Sequence, residues 1–279
     1  MRPPSPTRKR FGLRGRSRPV DTRVDAARGD LADIRLADRL FAPHYAAALP
    51  RGAVERTSLF SAIGAPPASE LLVGERFDVL ELSRGYAWGV SSVDGAVGFV
   101  SEHALGLPVE ATHVICAPVA HLAGGTNLPM GSRVAGMETA AGLQVDGVLL
   151  PADVARPLAS PVHDFVALAE SLVGTPAAIG GRSGAGVDAT GLVVLALGVA
   201  GIPAPRFIDL QAALLGHGIA EDAPMLRGDL LYFADHVAIV ADGTQAIHVS
   251  AAGAVAREAI ADIVSGGTFG PLLTRRRLP

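Results

Sequence analysis

Two stretches, DATGLVVLALGV at 188–199 and LLYFADHVAIVADGTQAIHVS at 230–250, decide the fold. The first predicts an apolar helix over Ala189 to Val199, because Asp188 stands where an N-cap carboxylate accepts hydrogen bonds from the first free backbone N–H groups. The second contains three short runs of strand-forming residues, with Asp242-Gly243 as a turn. A helical region followed by an antiparallel sheet predicts an α+β domain.

The residues before this region follow a different sequence pattern. From about residue 53, short runs of Val, Leu and Phe alternate with Gly, Pro and Asp, which predicts small antiparallel barrels. Asp94-Gly95 favours a tight hairpin turn with positive φ. A weaker set of strands is predicted over 113–157. Apolar residues at helical spacing predict a helix over 162–172 and a short helix over 31–45.

Composition limits the classes of protein. With 279 residues the chain has room for two or three domains. Its 49% hydrophobic residues, 18% charged residues and mean hydropathy of +0.36 exclude a wholly disordered chain. The longest apolar run, 192–202, is too short for the ~20 residues that span a bilayer, so no membrane span is expected. One cysteine, Cys116, excludes a disulfide framework.

The first 20 residues are strongly basic. They carry seven basic side chains and no acidic one, although the whole chain has a net charge of −3. We expect a solvated, disordered arm; contact with nucleic acid or an anionic surface is the alternative. No apolar stretch of a signal peptide follows these charges, so the default expectation is a cytoplasmic protein.

Eight short motifs stand in a suggestive order: GTP, GGRS, GVDATGLV, GIPAPR, RGDLLYF, DHVAIV, DG and AIHVS, from Gly174 to Ser250. In this order they resemble the NlpC/P60 family of bacterial cell-wall peptidases, papain-like cysteine enzymes that cut peptidoglycan stem peptides. The stretch GERFDVLELSRGYAWGVSSVDGAVGFVSEHAL at 74–105 resembles a bacterial SH3-type module.

The resemblance implies a domain organisation. A papain-like NlpC/P60 domain, with helices packed on an antiparallel sheet, is expected at 159–279. Two small SH3-like β-barrels are expected before it, at 42–108 and, with weaker support, at 109–158. Residues 1–41 are expected to form the basic arm and the short helix.

The chemistry of this family uses a cysteine thiolate at a helix N-terminus, a histidine base and a polar residue that orients the base. The family pattern Asp-Cys-Ser-Gly reads Asp188-Ala189-Thr190-Gly191 in this chain. Ala189 therefore stands where the nucleophile is missing. The resemblance implies that His236 is the base and that His248 is the residue that orients it.

No other side chain is a convincing nucleophile. Thr190 points about 100° away from Ala189 on a helix. Ser183 lies in a glycine-rich loop with nothing evident to hold it against His236, and Cys116 is expected to be a buried small hydrophobic residue. We therefore predict an inactive homologue, a pseudoenzyme.

The resemblance also assigns candidate contacts with a ligand. They are Asp188, Thr190, Gly180, Gly181, Arg182, Ser183 and Trp88. Together with Tyr86 and Phe99, Trp88 forms either an aromatic peptide groove or a barrel core, and the sequence leaves both open. No cofactor and no metal are expected; zinc held by the two histidines with Asp188 or Asp235 is the metal alternative, but Asp188 is explained as a cap and Asp235 as a turn residue.

Two further departures from the family bear on the missing nucleophile. Ala177, Ala178 and Ile179 stand where the family has an aromatic pair before Gly-Gly, and Phe207-Ile208 follows Pro-Arg where the family has small polar residues. Several losses around one site favour natural drift over a single engineered knockout.

Two functions follow from these observations. The first is a protein that binds a peptidoglycan stem peptide or a protein partner without hydrolysis. The alternative is a γ-D-glutamyl-diamino acid cysteine endopeptidase whose nucleophile is mutated at Ala189. Action on the cell wall would need an export route other than a signal peptide.

Overall fold

A computed structural model describes residues 19–122 and 126–279. The first 18 residues of the predicted basic arm lie outside these ranges. The described chain begins with a small parallel pair of strands separated by a 3₁₀ turn. These elements are β1 (Leu31–Asp33), the turn Ile34–Leu36 and β2 (His44–Ala46).

The helix predicted over 31–45 is therefore wrong. The Asp33 carboxylate accepts a hydrogen bond from the Arg35 backbone N–H and caps only one 3₁₀ turn. No helix continues through Ala42, because a residue that precedes a proline disfavours the helical region. The Tyr45 hydroxyl holds this bend by donating to the Leu40 carbonyl and accepting from the Ala42 N–H.

Seven antiparallel strands follow in one sheet. They are β3 (Leu49–Ala53), β4 (Thr57–Phe60), β5 (Pro67–Leu71), β6 (Arg76–Ser83), β7 (Tyr86–Ser91), β8 (Val97–Ser101) and β9 (Leu105–Gly106), with a 3₁₀ turn at Glu102–Ala104. Their order is β5-β4-β8-β7-β6-β3-β9. Strands β5 and β9 are edges that do not pair with each other within the described chain, so the expected closed barrel is not confirmed.

The hairpin predicted at Asp94-Gly95 joins β7 to β8. Only Gly95 has positive φ, and the Asp94 carboxylate accepts from the Ala96 N–H, so the loop is longer than a two-residue primed turn. The two-residue loop with positive φ at both positions is instead Arg84-Gly85, between β6 and β7.

The next region forms three small sheets rather than one barrel. Its strands are β10 (His113–Ile115), β11 (Val119–His121), β12 (Asn127–Pro129), β13 (Arg133–Val134), β14 (Met137–Thr139), β15 (Gly142–Val145), β16 (Val148–Leu150) and β17 (Ala155–Pro157). They pair as β13-β10-β17, β11-β12 and β14-β15-β16. These sheets share one apolar core, which includes Leu128, Leu143 and Leu150.

The C-terminal region has the predicted α+β character. It contains α1 (Phe165–Glu170), β18 (Arg182–Ser183), β19 (Gly186–Val187), α2 (Ala189–Val199), α3 (Ile208–Leu214), β20 (His217–Gly218), β21 (Leu230–Tyr232), β22 (Val237–Val240), β23 (Gln245–Val249), β24 (Val255–Ala259), α4 (Ile260–Ser265) and β25 (Thr274–Arg277). Six strands form an antiparallel sheet in the order β20-β25-β21-β22-β23-β24. The predicted helix at 189–199 and the three predicted strands are confirmed.

Helix α2 is the centre of the largest core. Most of its residues are buried, because one side packs on α1 and the sheet and another meets Leu72, Val114 and Met130 from the two preceding regions. Such a helix is apolar all round rather than amphipathic. The N-terminal end of α2 is thereby fixed relative to all three parts of the chain.

A buried arginine ties β18 to the seven-stranded sheet. The guanidinium of Arg182 donates to both carboxylate oxygens of Glu75, and its Nε donates to the Glu70 carbonyl oxygen at 2.9 Å. Both Arg182 and Glu75 are 1% exposed. Since a buried charge is tolerated only when it is paired, this contact holds the two regions in one arrangement.

None of the helices in the described ranges has the length and hydrophobicity needed to cross a membrane.

Candidate active site

The N-terminus of α2 is held by Asp188. Its Oδ1 accepts from the Gly191 N–H at 2.7 Å and from the Thr190 hydroxyl at 3.0 Å. Its Oδ2 accepts from the Gly180 N–H at 2.9 Å. The carboxylate is therefore the N-cap predicted from the sequence and also fixes the glycine loop.

Arg206 completes this arrangement. It is 3% exposed, and its guanidinium donates to both oxygens of the Asp188 carboxylate and to the Thr190 hydroxyl. Gln211 packs beside it and donates to the backbone carbonyls of Thr190 and Pro205. Neither Arg206 nor Gln211 stands out as a site residue in the sequence. The motif GIPAPR contains the arginine, but only the fold shows that it neutralises Asp188.

Ala189 lies in an open cleft with a volume of about 270 Å³. The cleft is lined by Ala68, Asp188, Ala189, Thr190, Arg206, Phe207, Ile208 and Asp235. The backbone N–H groups of Ala189 and Thr190, in the first turn of α2, have no hydrogen-bond partner within the described ranges. In an acyl-transfer site, donors of this kind stabilise the oxyanion that develops on the attacked carbonyl.

The two histidines are brought together by strand register. Ile239 of β22 pairs with Ile247 of β23, which places His248 diagonally across from His236, just before β22. Nε2 of His236 lies 3.0 Å from Nδ1 of His248. The Nδ1 atom of His236 has no hydrogen-bond partner within the described ranges. This is the relation expected of a base and the group that orients it.

Burial controls the charge of the pair. Burial, followed by repulsion from His248, lowers the pKa of His236 to about 4. Burial likewise lowers the pKa of His248, and Glu258 partly offsets this effect. Glu258 Oε2 lies 3.2 Å from His248 Nε2, but the ring N–H is not aligned with it as a hydrogen bond. Both imidazoles are therefore neutral at pH 7, as a general base requires.

The other predicted ligand-binding residues lie in two places: in or beside the cleft, and buried in β18. Thr190 lines the cleft, and Gly180 and Gly181 lie behind Asp188. Gly180 has φ +74°, and a Cβ there would come within 2.7 Å of Pro67, so glycine is needed at this position. Arg182 and Ser183 lie in β18 and are buried, so they do not line the cleft. Their role in ligand binding stays a prediction.

Trp88 is mainly a core residue. It is 4% exposed, packs with Ala26, Leu80 and Val97, and lies under the guanidinium of Arg28. It still lines a recess of about 610 Å³ that shares Ala68 and Phe207 with the cleft. Its role in ligand binding stays a prediction.

Within the described ranges, no cluster of three or more His, Cys, Asp or Glu side chains is arranged to hold a metal ion. Cys116 Sγ donates to the carbonyls of Asp153 and Val154, and burial raises the pKa of its thiol.

Comparison with known proteins decides the family. The NlpC/P60 family model matches residues 174–267, which include Ala189 and both histidines. Residues 174–267 therefore form an NlpC/P60 domain. The model of the bacterial dipeptidyl-peptidase SH3 domain matches residues 59–105, so this NlpC/P60 protein carries a bacterial SH3 domain before its family domain. No curated protein sequence matches the chain.

Two solved structures share the fold of this NlpC/P60 protein at low identity. An NlpC/P60 family protein from Bacillus cereus is 16% identical with a TM-score of 0.68, covering 83% of this chain and 100% of its own. An NlpC/P60 endopeptidase from Photobacterium damselae subsp. piscicida is 14% identical with a TM-score of 0.57, covering 82% of this chain and 71% of its own. The similarity to the Bacillus cereus structure covers most of this chain, so it includes regions outside residues 174–267.

Proposed function

We propose that this NlpC/P60 protein binds a cell-wall stem peptide without hydrolysing it. The observation that carries the proposal is Ala189 at the first position of α2, inside an open cleft of about 270 Å³. A methyl group cannot attack a carbonyl carbon, and the family reaction begins with that attack.

The neighbouring groups do not replace the thiol. The Thr190 hydroxyl donates to Asp188 and accepts from Arg206, so no base is left to activate it. Ser183 is fully buried, and Cys116 does not line the cleft. These contacts support binding without turnover.

Several features support binding itself. The free N–H groups of Ala189 and Thr190 can donate to a peptide carbonyl, and Phe207, Ile208 and Ala68 supply apolar walls. Asp188 and Arg206 neutralise each other, so the cleft does not carry a buried unpaired charge. Ligand sites typically combine apolar walls with a few polar groups in this way.

The second candidate is an endopeptidase whose nucleophile has been mutated. The paired histidines favour it, because the base and its orienting partner remain in contact although no thiol uses them. The codon for residue 189 in the source gene separates the two candidates: alanine there supports the binding protein, and cysteine supports the enzyme.

The remaining assignments are part of the same proposal. We assign 42–108 and 109–158 to SH3-like modules and 159–279 to the NlpC/P60 domain. A protein partner is the alternative occupant of the cleft. Contact of the basic N-terminal residues with nucleic acid or an anionic surface is proposed as a secondary interaction.

The test combines binding and cleavage. The protein is titrated with a stem tripeptide that contains a γ-D-glutamyl-diamino acid bond, by calorimetry, and the mixture is then examined for fragments by mass spectrometry. We expect binding and no fragments. Ala189→Phe fills the cleft and should abolish binding, whereas Ala261→Phe on the exposed face of α4 should not. Fragments from the natural chain, or absence of binding, would overturn the proposal.

A further inference from the structure

Of the charged side chains that line the cleft, two form an ion pair and one has no partner within the described ranges. Three charged side chains face it: Asp188, Arg206 and Asp235. Asp188 and Arg206 form a bidentate ion pair, and every Asp188 carboxylate oxygen accepts at least two hydrogen bonds. Asp235 is exposed and has neither a hydrogen bond nor an ion pair with any residue in the described ranges.

The position of Asp235 is set by the fold. It lies in the turn between β21 and β22, where the Phe233 N–H donates to the His236 carbonyl and closes the turn. The side chain therefore sits on a short, tied loop beside the histidine pair. Asp235 therefore lines the same cleft as the N-terminus of α2, although the two are far apart in the sequence.

The two sides of the cleft are chemically complementary to one kind of ligand. The N-terminal side of α2 offers N–H donors, which suit a carbonyl or carboxylate oxygen. The Asp235 side offers an uncompensated carboxylate, which suits an ammonium group. A ligand that carries both groups satisfies both sides without unpairing Arg206 and Asp188.

We infer that Asp235 is a specificity-determining residue that selects ligands with a free primary amine. This inference rests on the proposed function and deepens it: the stem peptide bound here is one whose diamino acid keeps its second amine unmodified. Asp188 and Arg206 form an ion pair with each other, so Asp235 determines which ligand charge the cleft prefers.

The experiment compares two versions of one tripeptide. Both contain the γ-D-glutamyl-diamino acid bond, and in one of them the second amine of the diamino acid is acetylated. Binding to the natural chain, to Asp235→Asn and to Asp222→Asn is followed by NMR chemical-shift titration. Asp222 is an exposed acid that does not line the cleft, so Asp222→Asn is the matched control.

We expect the natural chain and Asp222→Asn to bind the free amine about two- to fivefold more tightly than the acetylated peptide, the fold-change that a solvent-exposed ion pair supplies. Asp235→Asn should lose this preference and keep its affinity for the acetylated peptide. The preference should also fall as salt is added.

Three results would overturn the inference, and they can be told apart. If the natural chain binds both peptides equally, Asp235 does not select the amine, but the proposed function stands. If it binds neither peptide, the proposed function fails and the role of Asp235 fails with it. Retention of the preference in Asp235→Asn would assign the amine to another group.

Discussion

The phenyl ring of Phe269 lies parallel to the imidazole of His236, with the ring centroids 3.8 Å apart and 12° between the planes. Phe269 belongs to the loop between α4 and β25 and also contacts the edge of His248. It therefore covers one face of the His236 imidazole and contributes to the burial that keeps both histidines neutral.

Removing this cover should raise the pKa of His236. In Phe269→Ala, water reaches the imidazole and the cost of charging it falls, so the pKa should move from about 4 toward the unperturbed 6.5. Titration of the histidine ring protons by NMR measures it. Phe41→Ala is the control, because Phe41 is 92% exposed and should leave the His236 titration unchanged.

The histidine pair should also make stability depend on pH. The pKa of His236 is lower in the folded chain than in the unfolded one, so between pH 6.5 and about 4 the unfolded state binds a proton that the folded state does not. Stability should fall as the pH is lowered through this window, by up to about 3 kcal/mol from this group. Urea unfolding at pH 7 and pH 4.5 measures the loss. It should shrink in His236→Asn and persist in the exposed-site variant His103→Asn.

A cysteine at position 189 should react with alkylating reagents but should not by itself cleave a stem peptide. In Ala189→Cys the sulfur lies at the N-terminus of α2, which should lower its pKa below the unperturbed value of about 8.5 and allow rapid alkylation at neutral pH. Cleavage should stay near background, because Ala177 and Ile179 stand where the family resemblance implies an aromatic wall. The triple variant with aromatic residues at 177 and 179 should gain activity. Robust cleavage by the single variant would instead indicate an intact groove and a recent knockout.

The buried pair Arg182–Glu75 should be needed for stability. Arg182→Met leaves the Glu75 carboxylate buried without its partner, and we expect a loss of about 3–5 kcal/mol in the free energy of unfolding. The double variant Arg182→Met/Glu75→Leu should recover more than half of this loss. Arg257→Met removes an exposed arginine with similar ion pairs and should cost less than about 1 kcal/mol. Equal losses in the two arginine variants would show that burial of the pair is unimportant.

Two glycines of α2 should respond in opposite directions to alanine. A Cβ at Gly191 would overlap the Gly181 carbonyl oxygen, whereas a Cβ at Gly198 meets nothing within 4 Å. Gly191→Ala should therefore destabilise the fold by about 1–3 kcal/mol, because the helix must move away from the glycine loop. Gly198→Ala should stabilise it by about 0.5–1 kcal/mol through higher helix propensity. Urea unfolding of both variants tests whether α2 packs directly on the loop behind Asp188.

Local chemistry allowed the sequence to predict the centre of this protein. Asp188 and the apolar run after it predict α2 with the bounds that the structure shows, since capping and helix formation depend on neighbours within a turn. The Asp242-Gly243 turn between two strands predicts the hairpin that joins His236 and His248. The absent thiol at Ala189 is likewise a property of the sequence alone.

The features that the sequence did not predict depend on contacts between segments far apart in the chain. The helix expected over 31–45 gave way to strands because Pro43 and the Tyr45 hydroxyl outweigh helical spacing. Arg182 stands in the motif GGRS and Arg206 in the motif GIPAPR, and nothing in either motif shows that both arginines are buried against carboxylates that only folding brings to them. Phe269 over His236, and Asp235 in the cleft of Ala189, have no signal in the sequence, because neither separation along the chain nor residue type specifies which surfaces will meet.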